Sequence, residues 1–257
     1  MNVSDAFKPH KMPPNSLPVR CHVLNPNSDS LLENYLVRQI GNCYIDSKEL
    51  RRRTEETGLS ASEVLANKLP DPGAVMSGDF GEILTLFFLS SERPEVTHII
   101  RKWRYKQDRL KPAPHSDVVI LHREDTLRPS MTDFVICAEA KQKATRGPFD
   151  PITKAIEGFM ADNTGRLART LVWLREKAID SDSKSKIEYL DRFTQANTVP
   201  YRKHYKAVAI VDRALLDAEI SRDLDLPEQS EDFEVVVLGV DNLYDMYNSV
   251  YKRSRER

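Results

Sequence analysis

Asp117 and, 22 residues further on, Glu139-Ala140-Lys141 are the residues of this chain best suited to do chemistry. Both lie in apolar, β-prone runs, His115-Ser116-Asp117-Val118-Val119-Ile120-Leu121 and Phe134-Val135-Ile136-Cys137-Ala138-Glu139-Ala140-Lys141. Side chains alternate along a strand, so Glu139 and Lys141 share a face with Val135 and Cys137, while Gln142 faces away from them. A carboxylate and an amine closing an otherwise apolar strand break its burial logic, because unpaired buried charge is costly. A divalent metal and a phosphate group would restore it. Phosphodiester hydrolysis needs such a set: the phosphate charge must be shielded, a water made nucleophilic near neutral pH, and a leaving alkoxide stabilised.

Taken singly, these signals are weak. An Asp at the start of a strand commonly marks a turn or an edge, and exposed Glu–Lys pairs on sheets contribute little. Together, Asp117 and Glu139-x-Lys141 resemble the PD-(D/E)xK nuclease superfamily, with the departure that Pro114 lies three residues before Asp117 instead of beside it. Three phrases also resemble the HamA family, the nuclease subunits of the bacterial Hachiman anti-phage system. They are Gly78-Asp79-Phe80-Gly81-Glu82-Ile83-Leu84, Lys111-Pro112-Ala113-Pro114-His115-Ser116-Asp117 and Cys137-Ala138-Glu139-Ala140-Lys141. The resemblance implies that Asp117, Glu139 and the carbonyl of Ala140 hold Mg²⁺ or Mn²⁺, with Lys141 beside the attacking water. It implies a further carboxylate on the first core helix, where Glu82 fits and Asp79, one turn earlier, is the alternative. It also implies DNA as substrate, a HamB-like helicase subunit as partner and the bacterial cytoplasm as location.

Those residues need a frame. Residues 1–27, rich in Pro and Asn, read as an irregular or partly extended lead-in, and short helices are expected over 31–40 and after the Ser60-x-x-Glu63 capping box. Residues 76–90 are apolar all round, the mark of a buried helix. Three strands are expected over 97–106, 116–121 and 133–141, with helices over 152–160, 165–178 and 187–195. Continuous apolar runs at 206–211 and 233–238 read as buried strands, flanking a helix over 213–220, and a helix over 243–252 carries a stripe of Tyr244, Tyr247 and Tyr251. The fold class expected is α/β, a restriction-endonuclease-like core (α-β-β-β-α-β) with a central mixed sheet flanked by helices. The division expected is an N-terminal helical or irregular segment at 1–70 and a nuclease-like domain at 71–257.

A length of 257 residues, 40% hydrophobic and 30% charged, suits a globular chain, and its apolar runs are too short for a membrane span. Three cysteines without metal-site spacing give no disulfide framework. The net charge of −1 means that contacts to nucleic acid must be local. Arg101-Lys102-Trp103-Arg104-Tyr105-Lys106 interleaves basic and aromatic residues, so Arg101, Lys102, Arg104 and Lys106 are candidate contacts, as is Lys143 beyond Lys141. The runs 51–53, 202–206 and 252–257 read as solvated faces. Three functions remain open: a metal-dependent DNase working with a helicase, a stand-alone restriction or repair endonuclease, and a non-catalytic subunit that keeps the nuclease fold.

Overall fold

The computed structural model describes residues 1–12, 19–96, 98–195, 199–227 and 232–256. Two short strands, β1 (Phe7–Pro9) and β2 (Val19–Leu24), precede four helices, α1 (Asp29–Tyr44), α2 (Ser47–Thr57), α3 (Ala61–Ala66) and α4 (Ala74–Ser91). The antiparallel pair β3 (Val118–His122) and β4 (Phe134–Lys143) follows, then α5 (Pro151–Ala161), α6 (Leu167–Asp180) and α7 (Lys184–Thr194). The chain closes with β5 (Arg202–Asp212), α8 (Arg213–Ile220), β6 (Phe233–Val240) and α9 (Leu243–Arg255).

The strands form one six-stranded mixed sheet in the order β1-β2-β6-β5-β4-β3. The inner pairs β2–β6, β6–β5 and β5–β4 are parallel, and the two outer pairs are antiparallel. Helices cover both faces, which is why β5 and β6 are apolar on both sides. On one face α4 packs with Val118, Ile120, Ile136 and Ala138, joined by residues of α1 and α9. On the other, α5, α6 and α7 bury Val119, Leu121, Val135 and Cys137. The result is the expected α/β architecture, consistent with a restriction-endonuclease-like fold.

Local chemistry explains several element ends. The capping box at Ser60 forms in full, with Ser60 and Glu63 each satisfying the other's backbone N–H. Helix α2, which the sequence reading left out, starts at Asp46, whose side chain accepts from the Glu49 N–H, and stops at Gly58 in the left-handed region. Its arginines are satisfied along the helix: Arg52 pairs with Glu49 and Glu56, and Arg53 with Glu49. The three cysteines are free and buried.

The extended parts of the lead-in are strands: β1 and β2 extend the sheet, and β2 runs parallel to β6 with Val19 beside Val235. Residues 13–18 of that lead-in lie outside the described residues, as do Thr97 and Arg257. One expectation needs correction. The strand expected over 97–106 is absent among its described residues. A single bridge, Ile99 to Ile120, is followed by a 3₁₀ turn at Lys102–Tyr105. Such a turn repeats every three residues. It therefore carries Trp103 and Lys106 inwards and Arg101 and Arg104 together on another side.

Candidate active site

The register of β3 and β4 builds the site. Val118 lies opposite Ala138, so Asp117, one residue before the ladder, stands opposite Glu139 on the face covered by α5 and α6. Its Oδ2 accepts from the backbone N–H of Ala140 at 3.0 Å. Beside Glu139 and Lys141 on β5 are Ala207 and Ala209, whose small side chains leave space for the two long charged ones. Facing them on α5 is Gly158. A Cβ there would lie 2.4 Å from both Cγ and Cδ of Glu139, so this glycine lets the carboxylate rest against helix backbone.

Lys141 gathers the cluster. Its Nζ donates to Glu139 Oε1, lies 3.5 Å from Asp117 Oδ2 and reaches the Ala140 carbonyl at 3.4 Å. The second oxygen of Glu139 is held by Arg166, which also donates to the Gly158 carbonyl and to both oxygens of Asp162. Asp162 is buried and in turn accepts from Ser116 Oγ at 2.6 Å, beside Asp117. Arg166 reaches this position because the chain kinks between α5 and α6, where Gly165 has φ +119°. Sequence reasoning missed Arg166 by taking 165–178 as continuous helix. The Asp162-x-x-x-Arg166 spacing was the available signal.

Glu82 enters from the opposite layer. It projects from α4, is buried, accepts from Trp103 Nε1 at 3.1 Å and lies 3.2 Å from Lys102 Nζ. Lys102 bridges the layers, donating to the Ser116 carbonyl at 2.9 Å and standing 3.9 Å from Asp117. Asp79 belongs to a separate buried group: it accepts from Tyr44 and Lys106, and Tyr44 also meets Tyr251. Of the two α4 carboxylates, Glu82 is therefore the one linked to Asp117.

Burial dominates the electrostatics. It pushes the Glu82 carboxyl up to about 8; Lys102 opposes the shift, and Asp117 and Asp79 add to it. Burial and then Asp117 raise the Glu139 carboxyl, against Lys141 and Arg166. Burial alone would lower the Lys141 ammonium, but Asp117 and Glu139 hold it above the ordinary lysine value. So held, Lys141 is charged near neutral pH, and its Nζ donates to Glu139 Oε1. Among the described residues, no group of three or more His, Cys, Asp or Glu side chains could hold a metal. The oxygens that do converge are those of two carboxylates and one carbonyl.

The other candidate residues divide. Lys102 and Lys106 turn inwards to Glu82 and Asp79, and Lys143, also a candidate contact, is buried against Glu219 and the Gly147 carbonyl. Arg104 donates to the Asn42 carbonyl and lies near Asp46. Arg101 has a buried Nε without a partner. Gln142 faces α4, where it donates to Ser77. His115 adopts φ 70° and packs its ring against Trp173.

The class defined by fold and site is an α/β protein of restriction-endonuclease-like architecture with an acid–base cluster at the β3–β4 edge. Residues 3–254 match the model of the HamA family, so the chain belongs to that family. Membership makes it a Hachiman-type defence component and implies a partner from that system. No curated protein sequence matches the chain. Among the described residues no helix is long and apolar enough to cross a membrane.

Proposed function

We propose that the chain is the metal-dependent DNA endonuclease subunit of a helicase–nuclease defence complex in the bacterial cytoplasm, with the site at Asp117, Glu139 and Lys141 and with Glu82 behind it. The observation that carries the reading is the convergence of Asp117 Oδ2, Glu139 Oε1 and the Ala140 carbonyl on a single positive group, the Lys141 ammonium. Hard oxygen donors of this kind suit Mg²⁺ or Mn²⁺. When bound, such a cation would shield the phosphate and acidify a water.

The chain's own residues supply the rest. Arg166 occupies Oε2 of Glu139, which leaves Oε1 to face Asp117 and Lys141. Asp162 fixes Arg166 through a two-oxygen contact, a geometry that a lysine could not reproduce. The Lys141 ammonium can donate to the attacking water and offset negative charge as it develops on the phosphate oxygens. Glu82, held largely uncharged by burial, keeps Lys102 in place beneath Asp117.

The test is degradation of plasmid DNA by the purified chain with Mg²⁺, comparing wild type, Glu139→Ala and Lys141→Ala, with and without EDTA. The proposal expects loss of cleavage in both variants and in EDTA. Cleavage that survives both substitutions would sink the site assignment. If the wild type is silent alone, the same comparison is made with the system's helicase and ATP, and silence there too would leave a non-catalytic subunit.

A further inference from the structure

A cavity of about 320 Å³ lies between residues 98–105 and the α6–α7 pair, on the sheet face that carries Glu139. This volume falls within the range of small-ligand sites, at its lower end. Arg101, Arg104 and Lys186 line it, with His98, Tyr105 and Tyr189, and no carboxylate is among its lining residues. Of its basic residues Arg104 has an acid nearby, Asp46 at 3.6 Å, which does not line the cavity. Arg101 and Arg123 each have a buried Nε with no partner, and the Arg123 guanidinium lies over the Tyr189 ring, 5.8 Å from its centroid. The Arg104 guanidinium is held below its ordinary value by burial and then by the like charge of Arg101, a strain that an anion would relieve.

Aromatic rings continue from this cavity to the candidate site. His98 and Tyr189 lie tilted against each other at 4.8 Å; Tyr105 meets Trp173 edge-on at 5.7 Å; Trp173 meets His115 at 5.1 Å. His115 is two residues from Asp117. Leu121, which lines the cavity, is four residues along β3 from Asp117, roughly 13 Å at the rise of a strand. Leu121 and Glu139 lie on the same face of the sheet.

We propose that these rings and the basic cavity seat a single strand of DNA and lead it to Asp117, the bases lying on Tyr189, Tyr105 and Trp173 and the phosphates on Arg101 and Lys186. The proposal rests on the nuclease reading and narrows its substrate to unpaired strands. Stacking requires exposed base faces, which a duplex hides, and rings flanked by cations are how proteins hold single strands without reading sequence. A row of rings spaced along a path fits a strand better than a free nucleotide, which would need the cavity alone.

The test is binding, in EDTA, of a fluorescent oligothymidylate of about 12 nucleotides, a length such platforms cover. It uses the purified 257-residue chain at low salt and is read by anisotropy. Tyr189→Ala and Lys186→Glu should each weaken binding about tenfold. The quenching of tryptophan fluorescence on binding should vanish in Trp173→Phe, and duplex DNA and thymidine monophosphate should compete poorly. Lys186 is exposed, so its substitution keeps the test informative if the Tyr189 variant fails to fold. Unchanged binding by Lys186→Glu, an equal preference for duplex, or a wild type that does not bind the oligonucleotide would each overturn the proposal. The two readings fail separately: strand binding without metal-dependent cleavage, alone or with the helicase and ATP, removes the nuclease, whereas cleavage that depends on Glu139 but binding that ignores the track removes the track.

Discussion

Gly158→Ala isolates the position of one carboxylate. An added Cβ would lie 2.4 Å from Cγ and Cδ of Glu139 and 2.5 Å from Oε1, against ordinary carbon contacts of about 3.5 Å or more. The Glu139 side chain must therefore move by about 1 Å, because the helix backbone that carries the new methyl cannot yield as easily. Displacement of that size at a reacting centre costs about a hundredfold in rate. Stability should fall by no more than about 2.5 kcal/mol: alanine favours a helix interior by roughly 0.5–1 kcal/mol over glycine, and this offsets part of an overpacking cost of about 1–3 kcal/mol. Gly78, also inside a helix, is the matched control, since a Cβ there meets nothing within 4 Å. The assay pairs thermal denaturation with metal-dependent DNA cleavage for Gly158→Ala and Gly78→Ala. Wild-type cleavage by a folded Gly158→Ala protein would refute the claim that Glu139 acts from this position.

Two further predictions concern the charges around it. Arg166→Ala should destabilise the fold by about 3 kcal/mol, the lower end for a broken buried pair because the guanidinium is partly exposed; chemical denaturation measures it, and a loss below about 1 kcal/mol would mean that Asp162 and Glu139 find other partners. Glu82→Gln tests the raised carboxyl. With a folded value near 8 and an unfolded one near 4.5, the folded state holds the extra proton between those values, so wild-type stability falls as pH rises across that window. The Gln variant lacks this loss, and its melting temperature relative to wild type should climb from pH 5 to pH 8 in metal-free buffer. A constant difference would show that Lys102, Trp103, Asp117 and Asp79 leave Glu82 near its ordinary value.

Period-two alternation was enough to put Glu139 and Lys141 on one face with Cys137, and apolar runs were enough to find α4, β5 and β6. Helix α8 forms at the residues its pattern marks, 213–220. What failed or was read only in part had weaker physical signals. Strands β1 and β2 are short and flank a proline-rich stretch, and β2 is fixed by pairing with residues more than 200 positions away. The basic–aromatic alternation at 101–106 looked like a strand because spacing alone does not tell period two from period three over six residues. The inward turn of Lys102 and Lys106 depended on the carboxylates of α4, which a local reading does not see. Arg166 was hidden by a kink at Gly165 inside a helical pattern.

The charge balance explains why these residues are there together. Asp117, Glu139 and Asp162, with the largely protonated Glu82 behind them, face Lys102, Lys141 and Arg166. Arg166 is committed to Asp162 on one side, and Lys102 to Glu82 and the Ser116 carbonyl, so Asp117 and Glu139 are left to share Lys141. Another positive charge would therefore stabilise the cluster most between those two carboxylates. Buried ion clusters add little to stability compared with apolar packing. A glycine inside α5 lowers it further. Gly158 and the buried carboxylate pair that shares Lys141 are both costs to the fold, and both are accounted for by a single requirement: that Glu139 and Asp117 present oxygens towards a cation beside Lys141.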